Sequence, residues 1–195
     1  MDHVLALATA LRSLAEGDES LARATIATEY PLGLVTRTPR VIPYAEALAV
    51  FIRDGFIDRY SADRLIFPGV FCRLSQACPE EFPYHPHWRT DRTHQAYWQL
   101  YPTIDHVVPI TRGGPPDPQP SNWVTTSMLH NGAKGNATLD ELGWTCRPPG
   151  RMEDWDGLLG LFRHYLDTHS EFAISSTLRR WQRALAVVRR NGLIS

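Results

Sequence analysis

Five polar residues between Thr103 and Asn136 are spaced as chemistry would need them. Asp105 supplies a hard carboxylate oxygen and His106, beside it, a side chain that is a neutral base near pH 7. Asn131 adds an amide oxygen, and Lys134 lies three residues on, on the same face of any helix. Asn122 sits between the two pairs. A carboxylate with an amide oxygen favours Mg²⁺ or Mn²⁺ over Zn²⁺. A divalent cation, a general base and an ammonium together suit hydrolysis of a phosphodiester, with the base deprotonating water and positive charge stabilising the phosphate. Lys134, the sole lysine of a chain in which arginine makes up the rest of the 20 basic residues, is the candidate point charge on that phosphate.

The elements that position these groups follow from the local pattern. TIDHVVPI is rich in β-branched residues and predicts a strand. TRGGPPDPQPSN, with four prolines and two glycines, is a loop. WVTT predicts a second strand, and SMLHNGAKGN a helix capped by Thr126 or Ser127. Neighbouring residues of a regular strand face opposite ways, so Asp105 and His106 serve one site only if the strand ends, bulges or twists there. Pro109 and the Gly-Gly pair predict that backbone pairing breaks close to His106.

In this order, IDHVVPITRGG, SNW and HNGAKGN resemble the HNH endonuclease motif of the ββα-metal fold, in its Asp-His…Asn…Asn version. The resemblance covers about 34 residues and implies a role for each matched position. His106 is the general base, and Asp105 and Asn131 are the metal ligands, Asn131 standing where many members have His. Asn122 pins the loop and orients the base, and Lys134 is the basic residue after the last ligand. Upstream, RDGFIDRYSAD has the frame of the zinc knuckle many members carry, with Asp58 and Ser61 at its cysteine positions, and Ser127 and His130 fall at the second pair. Asp, Ser, Ser and His make no thiolate cage, so no structural zinc is expected. Aromatic residues of an insertion at 62–102 (Phe71, Phe82, Tyr84, Trp88, Tyr97 and Trp98) are expected to supply packing in its place. TLDELGW resembles the tail that packs on the site helix, and Thr138 with Glu141 forms a capping box.

The rest of the chain reads as helical additions. Val4, Leu5, Leu7, Leu11 and Leu14 keep helical spacing up to Gly17, and a second helix spans about 19–29. TRTPRVIP is a linker, and Pro43 starts a helix through YAEALAVFIRD. DGFIDRYSADRLIFPG suggests a hairpin, residues 70–77 a short helix, and TDRTHQAYWQL, DWDGLLGLFRHYLDTH and STLRRWQRALAVVRRNG further helices. The expected class is α+β: an N-terminal helical region at 1–48, a nuclease core at 49–145 and a C-terminal helical region at 146–195.

Composition sets outer bounds. With 43% hydrophobic and 21% charged residues the 195-residue chain is ordinary for a globular protein. No apolar run approaches the roughly 20 residues that cross a bilayer, and three cysteines without a CxxC predict no disulfide framework, which fits a cytoplasmic protein. A net charge of −1 gives weak support for nucleic-acid binding. Any contact must come from local groups: Arg112 before the glycines, or Arg179, Arg180 and Arg183 of the C-terminal segment, which equally read as the solvated face of an amphipathic helix. The expected partner is DNA, with RNA left open, and cutting both strands with a single site would call for a homodimer. A catalytically inactive nucleic-acid-binding module on the same fold is the alternative.

Overall fold

The computed structural model describes residues 3–31, 42–115, 121–169 and 175–194. They form two compact units, 1–41 and 42–195. These do not coincide with the boundaries at 48/49 and 145/146, because one helix runs through the first and the C-terminal segment shares a core with residues before the second.

In the first unit, α1 (His3–Ala15) and α2 (Glu19–Glu29) form a helical hairpin. Gly17 makes the turn at φ +82°, and the Asp18 side chain caps α2 by accepting from the Leu21 N–H at 2.8 Å. Ala6, Ala10 and Ser13 of α1 and Ala22 of α2 are buried, and Leu7, Leu11 and Leu14 are exposed.

The second unit holds α3 (Tyr44–Arg53), α4 (Pro68–Ala77), α5 (Ala96–Gln99), β1 (Pro102–His106), β2 (Trp123–Ser127), α6 (Met128–Lys134), α7 (Leu139–Leu142), α8 (Leu159–Thr168) and α9 (Ser176–Arg190). It is a mixed helical unit around one two-stranded antiparallel sheet, so the α+β class stands. Leu48 and Phe51 of α3, Phe56, Phe67, Phe162 of α8, and Leu178, Trp181, Leu185 and Val188 of α9 build the main core. Trp181 meets Tyr44, Phe51 and Phe67 ring to ring. α3 packs on α9 and also on both strands, which ties the sheet to the core.

Several expected elements are shorter than predicted. Of TDRTHQAYWQL only Ala96–Gln99 is helical, and the hairpin after α3 is a single bridge, Ile57 to Arg64. α8 starts at Leu159, not before Gly157: Gly157 and Leu158 both have positive φ, and the Gly157 carbonyl accepts from the Phe67 N–H. A Cβ on Gly157 would lie 2.5 Å from the Phe56 ring, so glycine lets the chain pass over the core. The aromatic residues of 62–102 pack as a cluster of their own, centred on Phe71, Ala96 and Tyr97.

Among the described residues no helix is long and apolar enough to cross a membrane.

Candidate active site at the strand–helix corner

β1 and β2 pair in register from Pro102↔Ser127 to His106↔Trp123. His106 is thus the last residue of its strand, but pairing stays regular through it, so Asp105 and His106 face opposite sides of the sheet and the bulge or twist that would turn both to one site does not occur there. One further bond, Val107 N–H to Asn122 O at 2.9 Å, closes the end. Asn122, buried, then takes the place of a strand residue with its side chain: its Oδ1 accepts from the Val108 N–H (2.8 Å) and its Nδ2 donates to the Val108 carbonyl (3.0 Å). Gly114 answers to the same carbonyl. A Cβ on Gly114 would lie 2.0 Å from Val108 O, and Gly113 turns the chain at φ +87°. Asn122 is therefore the pin of the loop.

α6 leaves β2 without a gap. Ser127 is the N-cap, its hydroxyl accepting from the His130 N–H at 3.1 Å. The helix lies along β1 and presents one face to it. Asn131 Nδ2 donates to Thr103 Oγ1 (2.9 Å) and to the Ile104 carbonyl (3.2 Å). A carbonyl only accepts, so the amide nitrogen must face the strand, and Oδ1 is the atom left to face a ligand. One turn on, Lys134 Nζ reaches Asp105 Oδ2 at 2.9 Å and the His106 carbonyl at 2.8 Å.

The Lys134 side chain is 0% exposed and that of Asp105 8%. The phosphate contact expected of Lys134 is not what this geometry serves, because an enclosed ammonium faces Asp105 and not solvent. Tyr60 donates its hydroxyl to the same Asp105 Oδ2. Burial, and next the Asp105 carboxylate, push the Tyr60 phenol well above its usual range, so it remains a neutral donor. Among the described residues Asp105 Oδ1 has no hydrogen-bond partner.

On the other face of the sheet, the Trp123 indole N–H donates to His106 Nε2 at 2.9 Å, the two rings standing edge to face. An indole nitrogen only donates, so Nε2 carries the lone pair and the neutral ring holds its proton on Nδ1. The His106 lone pair is thus already engaged.

The knuckle positions also converge, though through hydrogen bonds. Asp58 is fully buried. Its Oδ1 accepts from the Tyr60 N–H (2.9 Å) and the Thr126 hydroxyl (3.1 Å), and its Oδ2 from the Ser127 N–H (2.8 Å). His130 Nδ1 lies 2.8 Å from Oδ2 and 3.0 Å from Ser127 Oγ. Burial alone would raise the Asp58 carboxyl; the bonds from Ser127, His130 and Tyr60 outweigh it and hold the group below its usual value. Ser61 joins only through its backbone N–H, which donates to Asp58 Oδ1 at 3.4 Å, while its hydroxyl bonds Asp63 at 2.7 Å. The link between the turn after α3 and the α6 corner is thus this polar cluster, and the aromatic insertion does not supply it.

Asp54 forms a second such link, to β2. It accepts from Arg53 Nε and Arg59 Nη1, both at 2.9 Å, and from the Thr125 N–H at 2.8 Å. Sequence reasoning passed over Asp54, Tyr60 and Trp123. Only Asp58 left a signal, an acid at a position the motif frame marks.

Arg112 is half exposed and meets Glu141 at 3.3 Å, a surface pair of small energetic weight. Bonds from Thr138, and next Arg112, hold the Glu141 carboxyl below its usual value. Thr138 and Glu141 make the expected capping box of α7. Arg179, Arg180 and Arg183 lie on the exposed side of α9, opposite Trp181, Ala184 and Leu185.

The donors at the corner are one carboxylate oxygen and one amide oxygen. Among the described residues no group of three or more His, Cys, Asp or Glu side chains is placed to hold a metal ion. Two oxygen donors fit a hard cation that keeps most of its waters, and not a zinc cage. No protein-family model, curated protein or solved structure matches the chain.

Proposed function

We propose that residues 102–134 are an HNH-type nuclease unit that hydrolyses DNA phosphodiester bonds, with RNA left open as a substrate. The observation that carries this reading is the docking of α6 on β1. Asn131 and Lys134, one turn apart, meet the strand at Thr103–Ile104 and at Asp105–His106, while Asn122 fixes the loop just beyond. Asp105, Asn122, Asn131 and Lys134 gather at this corner, while the His106 side chain stands on the opposite face of the sheet against Trp123.

Asp105 Oδ1 and Asn131 Oδ1 are the atoms that would hold a divalent cation, Mg²⁺ or Mn²⁺. Such an ion supplies charge neutralisation at the phosphate. Lys134 and Tyr60 hold the other Asp105 oxygen and so orient the carboxylate. Lys134 also grips the His106 carbonyl and so fixes the end of the strand that carries the base. His106 takes the proton of the attacking water at Nε2 once the Trp123 N–H releases that lone pair.

A second reading is favoured by that same engagement. With Trp123 on the base and Lys134 on the carboxylate, the corner would also suit an inactive nucleic-acid-binding module.

Plasmid cleavage with Mg²⁺, Mn²⁺ or EDTA, run beside His106→Ala, separates the two. Metal-dependent nicking that falls at least about 100-fold in His106→Ala is the expected result. DNA binding with no cleavage under any metal moves the assignment to the binding module.

A further inference from the structure

A cavity of about 560 Å³ opens between α4, the aromatic segment and the start of α9, and the nuclease reading makes no use of it. Tyr84, Tyr97 and Tyr101 line it as a run of near-parallel rings, with centroids 4.9 Å apart at 29° and 5.9 Å apart at 18°. Trp88 stands across all three at 83°, 87° and 88°. Its backbone is left-handed, φ +48°, a costly conformation for tryptophan that its packing maintains. The run ends at Tyr84, which is 47% exposed.

The remaining lining is polar but uncharged. Ser75, Gln76 and Thr177 bring hydroxyl and amide groups to the edge of the cavity, the Ser75 hydroxyl sharing a 2.7 Å hydrogen bond with the Tyr97 hydroxyl, and no Asp, Glu, Lys or Arg lines it among the described residues. Burial holds the Cys72 thiol at about 11 and raises the Tyr84, Tyr97 and Tyr101 phenols, so these too are neutral near pH 7. One cation lies beside a lining residue: the Arg180 guanidinium is 6.0 Å from the ring centre of Tyr44, and Arg180 follows Thr177 by one helical turn.

We propose that this cavity binds a nucleobase, stacked on Tyr84 and read at its edge by Gln76, Ser75 and Thr177, with Arg180 taking the attached phosphate. A planar heterocycle extends a ring stack, and its edge uses the amide and hydroxyl groups. A quaternary ammonium would use neither and would meet the Arg180 charge. The base comes either from a free nucleotide or from a nucleic-acid strand. Tyr101 immediately precedes β1, so the cavity lies roughly 16 Å from His106 along the strand, near enough for one strand to reach both.

The test is calorimetric titration of the full chain carrying His106→Ala, so that binding is read without cleavage and the inference stands or falls apart from the nuclease reading. The probes are the four nucleoside 5′-monophosphates, the matching nucleosides, ribose 5-phosphate, choline, and single-stranded oligonucleotides with and without abasic sites. Base-bearing probes are expected to bind and ribose 5-phosphate not to. Tyr84→Ala should weaken binding about tenfold or more, and Arg180→Ala should weaken nucleotides but not nucleosides. Binding of monophosphates identifies the free nucleotide as the source; binding of intact oligonucleotides alone, lost at abasic sites, identifies the strand. Choline binding tighter than any nucleotide, no base-bearing probe bound, or binding indifferent to Tyr84→Ala overturns the proposal.

Discussion

Asp58 and Asp105 are both buried carboxylates beside the same helix, and they are treated in opposite ways. Asp58 has both oxygens saturated, largely by backbone N–H groups of Tyr60 and Ser127 that no side-chain change can remove. Asp105 has one oxygen held by two side chains, Lys134 and Tyr60, and the other without a partner among the described residues. A fully satisfied carboxylate fixes structure. One left half-satisfied beside a compensating cation keeps the capacity to bind something else.

The strongest test of that contrast is a pair of double-mutant cycles followed by urea unfolding. Asp58→Asn is expected to cost about 3–5 kcal/mol, since an amide turns a donor toward donors, and adding His130→Leu should recover little. Asp105→Asn strands the Lys134 charge, but adding Lys134→Met should recover about 1–3 kcal/mol. Equal recovery in both cycles would break the comparison.

Acid sharpens it on a smaller scale. The folded state holds the Asp58 carboxyl below its unfolded value, so its stabilisation is complete above about pH 4 and is lost as pH falls through the folded-state value. The wild type should therefore lose stability more steeply below about pH 4 than Asp58→Asn does. Parallel curves would mean that the hydrogen bonds around Asp58 are not what resists acid.

The smallest expected effect rests on the proposed nuclease activity and concerns His106 as its base. An N–H on the lone pair of His106 must let go when the ring takes a proton, so Trp123→Phe should speed cleavage near pH 7 by about two- to tenfold. A slower enzyme would show instead that the indole positions the ring.

Local rules carried much of this molecule. The helix spans of α1, α2 and α9, the second strand, the Ser127 cap and the Thr138–Glu141 box all follow from spacing and cap chemistry, whereas the first strand, expected to run on to Ile110, stops at His106 and α4 starts two residues early, at Pro68. What escaped depends on partners distant in the chain. Nothing near Asp54 announces Thr125 as its partner, and nothing near Tyr60 announces Asp105. Lys134 shows the limit most clearly. Its uniqueness in the chain marked it for attention, but its direction is set by a strand 28 residues upstream, and that direction is inward.

That inward lysine also makes the folded protein a blank surface for lysine chemistry. Acylating reagents and lysine-directed cross-linkers meet no side-chain amine until α6 lifts from β1, so the appearance of acylated Lys134 is a built-in clock for the opening of the corner.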